Sequence, residues 1–127
     1  MKFEHAALNV PDAAAMADWW IQNCGMRAVL ARKDPPYTHF LADETGRTVL
    51  EIYTNTAAPI PNYAQQPPAC LHIAFAVPDA AATMERLLAA GATLADNQRL
   101  PDGTHLVMLR DPWGVPLQLC KRATPLP

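Results

Sequence analysis

The sequence predicts an α+β domain made of two βαβββ modules, and three observations lead there: an internal repeat, a capped helix signal in each copy, and alternating strand patterns after each helix. His5-Ala-Ala-Leu-Asn-Val-Pro-Asp-Ala-Ala-Ala15 aligns with His72-Ile-Ala-Phe-Ala-Val-Pro-Asp-Ala-Ala-Ala82 at a spacing of 67, with eight of eleven positions identical. Composition could repeat the alanines, but not the order His-x-Ala-x-x-Val-Pro-Asp. The same spacing pairs Leu50-Glu51-Ile52 with Leu117-Gln118-Leu119, so the halves match at both ends with no change of register.

The elements follow in order. Glu4–Val10 alternates, with Ala6, Leu8 and Val10 on one face and His5, Ala7 and Asn9 on the other, as a half-buried strand does. Asp12 is the expected N-cap of a helix running to about Asn23 and stopped near Gly25, with Met16, Trp19 and Trp20 as its buried stripe. Strands are expected at Arg27–Arg32, Tyr37–Ala42 and Thr48–Thr54, the last two joined by a turn at Glu44–Arg47. The second copy reads alike: strand Cys70–Val77, a helix from Asp79 to about Ala90 closed by Gly91, then strands Thr93–Gln98, His105–Arg110 and Val115–Lys121. Turns fall at Pro101–Gly103 and Asp111–Gly114. Thus module one covers residues 1–55, module two 70–122 and a frayed tail 123–127, all within one domain. Between the modules lies a proline-rich linker, 56–69.

Bulk properties exclude several functions. The chain has 127 residues, enough to build a core; half are apolar and 17% charged, which excludes a disordered chain. A net charge of −2 offers no general attraction for nucleic acid or an anionic membrane. No apolar run approaches a membrane span, and Met1–Val10 lacks the apolar core of a signal peptide. Cys24, Cys70 and Cys120 are odd in number and widely spaced, which argues against a disulfide framework or structural zinc and for a reducing cytoplasm.

The strand faces outline a pocket. Leu71, Ile73, Phe75 and Val77 share one face, while His72, Ala74 and Ala76 leave open space on the other. Leu50 and Ile52 oppose Glu51 and Tyr53; Leu117 and Leu119 oppose Gln118 and Cys120. If each helix covers the apolar face of its own sheet, His5, Glu51, His72 and Gln118 point into a hollow. Alternating polar residues ordinarily mark only a solvated face. Four of them at equivalent positions of a duplicated unit instead suggest ligands for a divalent metal: Zn, Ni, Co, Mn or Fe(II). Cys120 shares a strand face with Gln118, although a free cysteine is usually a small hydrophobe. His105, following a turn, is expected at the surface, and Arg110-Asp111 reads either as a solvated pair or as a substrate clamp.

In His5-x-x-Leu-x-Val-x-Asp, Leu50-Glu51-Ile52, His72-Ile-Ala-Phe-x-Val and Asp111-Pro112-Trp113-Gly114 with Leu117-x-Leu119, the chain resembles the vicinal oxygen chelate superfamily. That group includes glyoxalase I, extradiol dioxygenases, methylmalonyl-CoA epimerase, and the fosfomycin and bleomycin resistance proteins. The resemblance implies a curved mixed sheet around a pocket. Short glyoxalase I enzymes are nearest in ligand pattern, which carries the metal-ligand role onto His5, Glu51, His72 and Gln118. Gln118 is a departure, an amide where the family has a carboxylate. Asn9 is another, standing where an arginine often binds the glutathione carboxylate, whereas Asn55 matches a glutathione-contacting asparagine. Extradiol dioxygenases place their carboxylate at the position of Gln118, which argues against that chemistry.

The resemblance therefore implies a metal-dependent lyase or isomerase acting on a small oxygenated substrate, such as a 2-oxoaldehyde–thiol adduct. Glu51 would be the catalytic base, and the metal would stabilise an enediolate. The alternatives are a bleomycin-resistance-like binding protein and a dioxygenase-like relative. In a binding protein Tyr53, His39, Trp113 and Tyr37 would line the pocket, with His5 and His72 as polar wall. Relatives of this length commonly form homodimers with pockets shared between chains.

Overall fold

The computed structural model describes every residue from Met1 to Pro127. Each half folds from its own cap. The first N–H groups of a helix have no intrahelical partner. The Asp12 carboxylate accepts the Ala15 N–H at 3.0 Å, opening helix α1 (Ala13–Cys24), which ends where Gly25 turns left-handed at φ 68°. Asp79 accepts the Ala82 N–H at 3.0 Å in the same way and opens α2 (Ala80–Ala89).

The strands are β1 (Ala6–Asn9), β2 (Arg27–Ala31), β3 (His39–Ala42), β4 (Thr48–Tyr53), β5 (Ile73–Ala76), β6 (Thr93–Arg99), β7 (His105–Arg110) and β8 (Pro116–Lys121). They form two four-stranded mixed sheets, ordered β1-β4-β3-β2 and β5-β8-β7-β6. In each, the first strand runs parallel to the last and the other neighbours are antiparallel. The chain divides into two compact units, Met1–Pro61 and Asn62–Pro127, each a βαβββ module of an α+β fold. No helix is long and apolar enough to cross a membrane.

The repeat extends to hydrogen-bond register. β1 meets β4 from Ala6↔Leu50 to Asn9↔Tyr53, and β5 meets β8 from Ile73↔Leu117 to Ala76↔Cys120, every residue moved by the same 67 positions. The spacing is not constant in between. β3 and β4 pair Leu41↔Leu50 and then Ala42↔Thr48, so Val49 is bulged out, whereas β7 and β8 pair Leu109↔Leu117 and Arg110↔Pro116 without a bulge. The hairpin turns therefore correspond at 68, Asp43 to Asp111, and the first turn begins at Asp43 instead of Glu44. In each, the aspartate N–H and C=O bond within the turn (Asp43 N–H to Arg47 O, 3.1 Å; Asp111 N–H to Val115 O, 3.0 Å). The carboxylate accepts the N–H two residues on, Thr45 at 3.0 Å and Trp113 at 2.9 Å. Gly46 and Gly114 supply the positive φ, 83° and 85°.

Each helix covers one face of its own sheet. α1 packs on β2, β3 and β4 and buries Met16, Ala17 and Trp20 with Leu8, Val10, Leu41, Leu50 and Ile52. Trp19, one position off this stripe, is only half-buried, contrary to expectation. α2 packs on β7 and β8, where Leu87, Val107, Leu109, Leu117 and Leu119 are buried. Four strands begin later than the sequence suggests; β1 starts at Ala6, which leaves His5 just before it, and β8 starts at Pro116. A turn at Pro67–Cys70 holds β5 back to Ile73 and leaves Leu71 exposed, and the turn closed by Tyr37 N–H to Asp34 O (2.8 Å) holds β3 back to His39.

His105 and the Arg110-Asp111 pair depart from expectation for one reason: they serve the fold. Alternation along β7 puts His105 with Val107 and Leu109 on the α2 side, only 4% exposed. Its Nε2–H donates to Asn97 Oδ1 at 2.7 Å, and Asn97 in turn donates to Met84 Sδ on α2 at 3.7 Å. Arg110 is neither a solvated partner nor a clamp. Its guanidinium donates to the carbonyls of Tyr63 (2.7 Å), Gly114 (3.0 Å) and Gln66 (2.7 Å), tying a short 3-10 turn of the linker, Tyr63–Gln65, onto the β7–β8 hairpin. Asp111 is buried, accepting the Trp113 and Val115 N–H groups.

Two predictions follow from this packing. A Cβ on Gly114 would stand 2.7 Å from the Ala64 backbone nitrogen, whereas one on Gly103 would meet nothing within 4 Å. Gly103→Ala therefore carries only left-handed strain of about 1–2 kcal/mol, and Gly114→Ala is expected to lose clearly more in urea unfolding. Burial, reinforced by Arg99 and Lys121 and opposed by Asp79, holds the His105 imidazole below its usual range. Its folded-state value lies below its unfolded one, so the unfolded chain takes the proton first and stability falls as pH drops through the imidazole range. His105→Gln is expected to flatten that part of the pH–stability curve relative to the native chain.

Candidate functional site

Parallel pairing of β1 with β4 sets Ala7 opposite Glu51, so His5, two residues earlier, lies on the same face, away from α1. His5 Nε2 stands 3.2 Å from Glu51 Oε2, and both side chains are mostly buried. On β3, Phe40 pairs with Glu51 and meets the imidazole edge-to-face, centroids 5.1 Å apart at 80°. The other ring nitrogen, Nδ1, is 3.2 Å from Glu4 Oε1.

The second unit repeats this frame with different chemistry. Ala74 and Met108 flank Gln118 as Ala7 and Phe40 flank Glu51. His72, two residues before Ala74, donates Nδ1–H to the Pro68 carbonyl at 3.0 Å. Gln118 Oε1 accepts the Cys120 thiol at 3.3 Å. Burial raises the Cys120 pKa, which keeps the sulfur a protonated donor to Gln118.

Both repeat histidines thus have Nδ1 near an oxygen, Glu4 Oε1 for His5 and the Pro68 carbonyl for His72, and His72 is exposed. No group of three or more His, Cys, Asp and Glu side chains is arranged to hold a metal. The structure brings His5 and Glu51 together as a pair, and His72 and Gln118 hold the matching positions of their own unit.

The other expected residues divide. Tyr53 pairs with Asn9, on the same face as Glu51 and two residues along. Asn9 itself is buried and engaged with the chain: its Nδ2 donates to Asn55 O at 3.0 Å and Pro59 O at 3.4 Å, and its Oδ1 accepts the Asn55 N–H at 2.8 Å. Asn55 Oδ1 accepts the Ala57 N–H at 2.9 Å. Both asparagines are therefore occupied in shaping the segment after β4. His39 pairs with Ile52 on the face covered by α1, buried and donating Nδ1–H to Tyr37 O at 2.7 Å, so it is not a wall of the open face. Tyr37 is exposed in the turn before β3 with φ 56°. Trp113 lies half-buried in the β7–β8 turn. Sequence reasoning missed Phe40 and Glu4. Alternation from a strand starting at His39 would have found Phe40, and nothing in the pattern distinguishes Glu4.

Known proteins agree with this architecture. The pattern of the glyoxalase-like domain family matches residues 5–120. No curated protein matches the sequence. Among solved structures, a lactoylglutathione lyase from Agrobacterium tumefaciens is 22% identical, covering 96% of this chain and 94% of its own, with a TM-score of 0.67. A member of the glyoxalase/bleomycin resistance protein/dioxygenase superfamily from Sphaerobacter thermophilus is 17% identical over 96% and 98%, TM-score 0.68. TnmS3, an antibiotic-binding protein from a Streptomyces species, is 16% identical over 95% of each chain, TM-score 0.68. At these identities the likeness is one of fold. With the family pattern spanning nearly the whole sequence and both βαβββ units in place, the chain belongs to the glyoxalase-like domain family, within the vicinal oxygen chelate superfamily.

Proposed function

We propose that the protein is a metal-dependent lyase or isomerase of the glyoxalase type, acting on a small substrate with adjacent oxygens such as a 2-oxoaldehyde–thiol adduct. The observation that carries this reading is the His5 Nε2–Glu51 Oε2 approach at 3.2 Å. In the first unit the residues proposed to hold the cation are His5 and Glu51; in the second, His72 and Gln118 occupy the corresponding positions. A divalent cation bound there would stabilise negative charge developing on a substrate oxygen.

The side chains divide the remaining work. Glu51 is the only carboxylate of the set and therefore the group that takes a proton from the carbon beside the carbonyl. Gln118 contributes an amide oxygen but accepts no proton at neutral pH, so proton transfer is confined to the Glu51 side. Phe40 packs its ring on His5 and fixes the imidazole plane. The proposal includes a homodimer, supported by the exposed apolar residues Val29, Leu30 and Leu94 on edge strands. It also includes a reducing cytoplasm, supported by three free cysteines.

A second reading, non-catalytic binding of a small molecule, is favoured by one observation: the chain gathers no group of three acidic, histidine or cysteine ligands. Elemental analysis of protein purified without added metal separates the two. Near-stoichiometric divalent metal, with His5→Ala lowering its affinity about 10- to 100-fold, is expected from the metal reading; a metal-free protein that resists loading favours simple binding. For the reaction, metal-loaded protein is expected to exchange the α-proton of the methylglyoxal–glutathione adduct with deuterium from solvent. Glu51→Gln is expected to slow that exchange by about 100-fold or more. No exchange in the loaded native protein would overturn the lyase assignment.

A further inference from the structure

At the surface of the first unit an open cavity of about 410 Å3 is lined by Lys2, Phe3, Glu4, Arg47 and Thr48, within the size range of small-molecule sites. Arg47, at the end of the β3–β4 turn, donates Nη2–H to the Phe3 carbonyl at 2.8 Å and lies 5.8 Å from the Phe3 ring centroid. These contacts dock the N-terminal segment along the start of β4. The only acid in the lining, Glu4, is directed to His5 Nδ1. The Lys2 ammonium, the Thr48 hydroxyl and the rest of the Arg47 guanidinium meet no protein acceptor. Two cations and a hydroxyl thus face a cavity in a chain whose net charge is −2, so the local sign opposes the global one. Phe3, 60% exposed, adds an apolar wall.

We infer that this cavity binds an oxyanion, a carboxylate or phosphate group, carried on an apolar stem. Lys2 and Arg47 supply the charge, Thr48 a hydrogen bond, and Phe3 the surface for the stem. Glu4 belongs both to the cavity and to the His5 contact, so a bound anion lies next to the candidate metal pair. The inference does not depend on the metal reading.

Three probes of matched size test it: phenyl phosphate, benzoate and neutral benzyl alcohol, titrated into the full chain while amide NMR shifts are followed. Saturable shifts at Lys2–Glu4 and Arg47–Thr48 are expected for the anions and not for the alcohol. The tighter of the two anions identifies the natural head group. Lys2→Ala is expected to weaken binding at least about fivefold, as loss of one charge-assisted contact does, and added salt is expected to weaken it further. Because anions also bind metals, the titration is repeated after chelation. Unchanged shifts at these residues support the cavity, and shifts that vanish with the metal overturn it. Equal response to benzyl alcohol, no saturation, or indifference to Lys2→Ala overturns it as well.

Discussion

The parallel pairing of the first strand with the last in each unit is the constraint on which the rest depends. Backbone hydrogen bonding between β1 and β4 sets Ala7 opposite Glu51 and puts Leu8 and Ile52 together on the other face, and His5, just before β1, reaches Glu51 from the first of these faces. The same register in β5 and β8 puts His72 and Gln118 in the matching places. A slip of one residue would exchange the faces of a whole strand, burying a carboxylate under α1 and exposing Ile52. The apolar face therefore holds the polar one in register. Burial under the helix is what makes the His5–Glu51 approach reproducible.

Many polar residues that look chemical in the sequence are used to hold backbone. Arg110 spends its guanidinium on three carbonyls, Asp111 and Asp43 close hairpin turns, and Asn9 pins the segment after β4. Irregular backbone that packs against a sheet must still find hydrogen-bond partners, and side-chain amides, guanidinium groups and carboxylates are the available ones. Asp12 and Asp79 do the same for the helix starts. What holds no backbone is correspondingly informative: Glu51 paired with His5, and the polar groups of Lys2 and Thr48.

The two units share a scaffold and differ in chemistry. Equivalent positions carry glutamate and glutamine, phenylalanine and methionine, an anionic partner for one histidine and a carbonyl for the other. A duplicated backbone thus presents one acidic and one neutral version of the same face.

The repeat, the element order, both helix caps and the shared strand register of Glu51 and Gln118 were all legible in the sequence. They rest on local periodicity and on short-range capping, which nearby residues decide. Tertiary structure alone decided the one-residue bulge at Val49, the burial of His105, the helix-side placement of His39 and the role of Arg110. Each depends on which distant segment packs alongside: α2 over β7, α1 over β3, the Tyr63–Gln65 turn on the β7–β8 hairpin. Alternation along a strand says which residues share a face, but only the packed partner determines whether that face is core, scaffold or site.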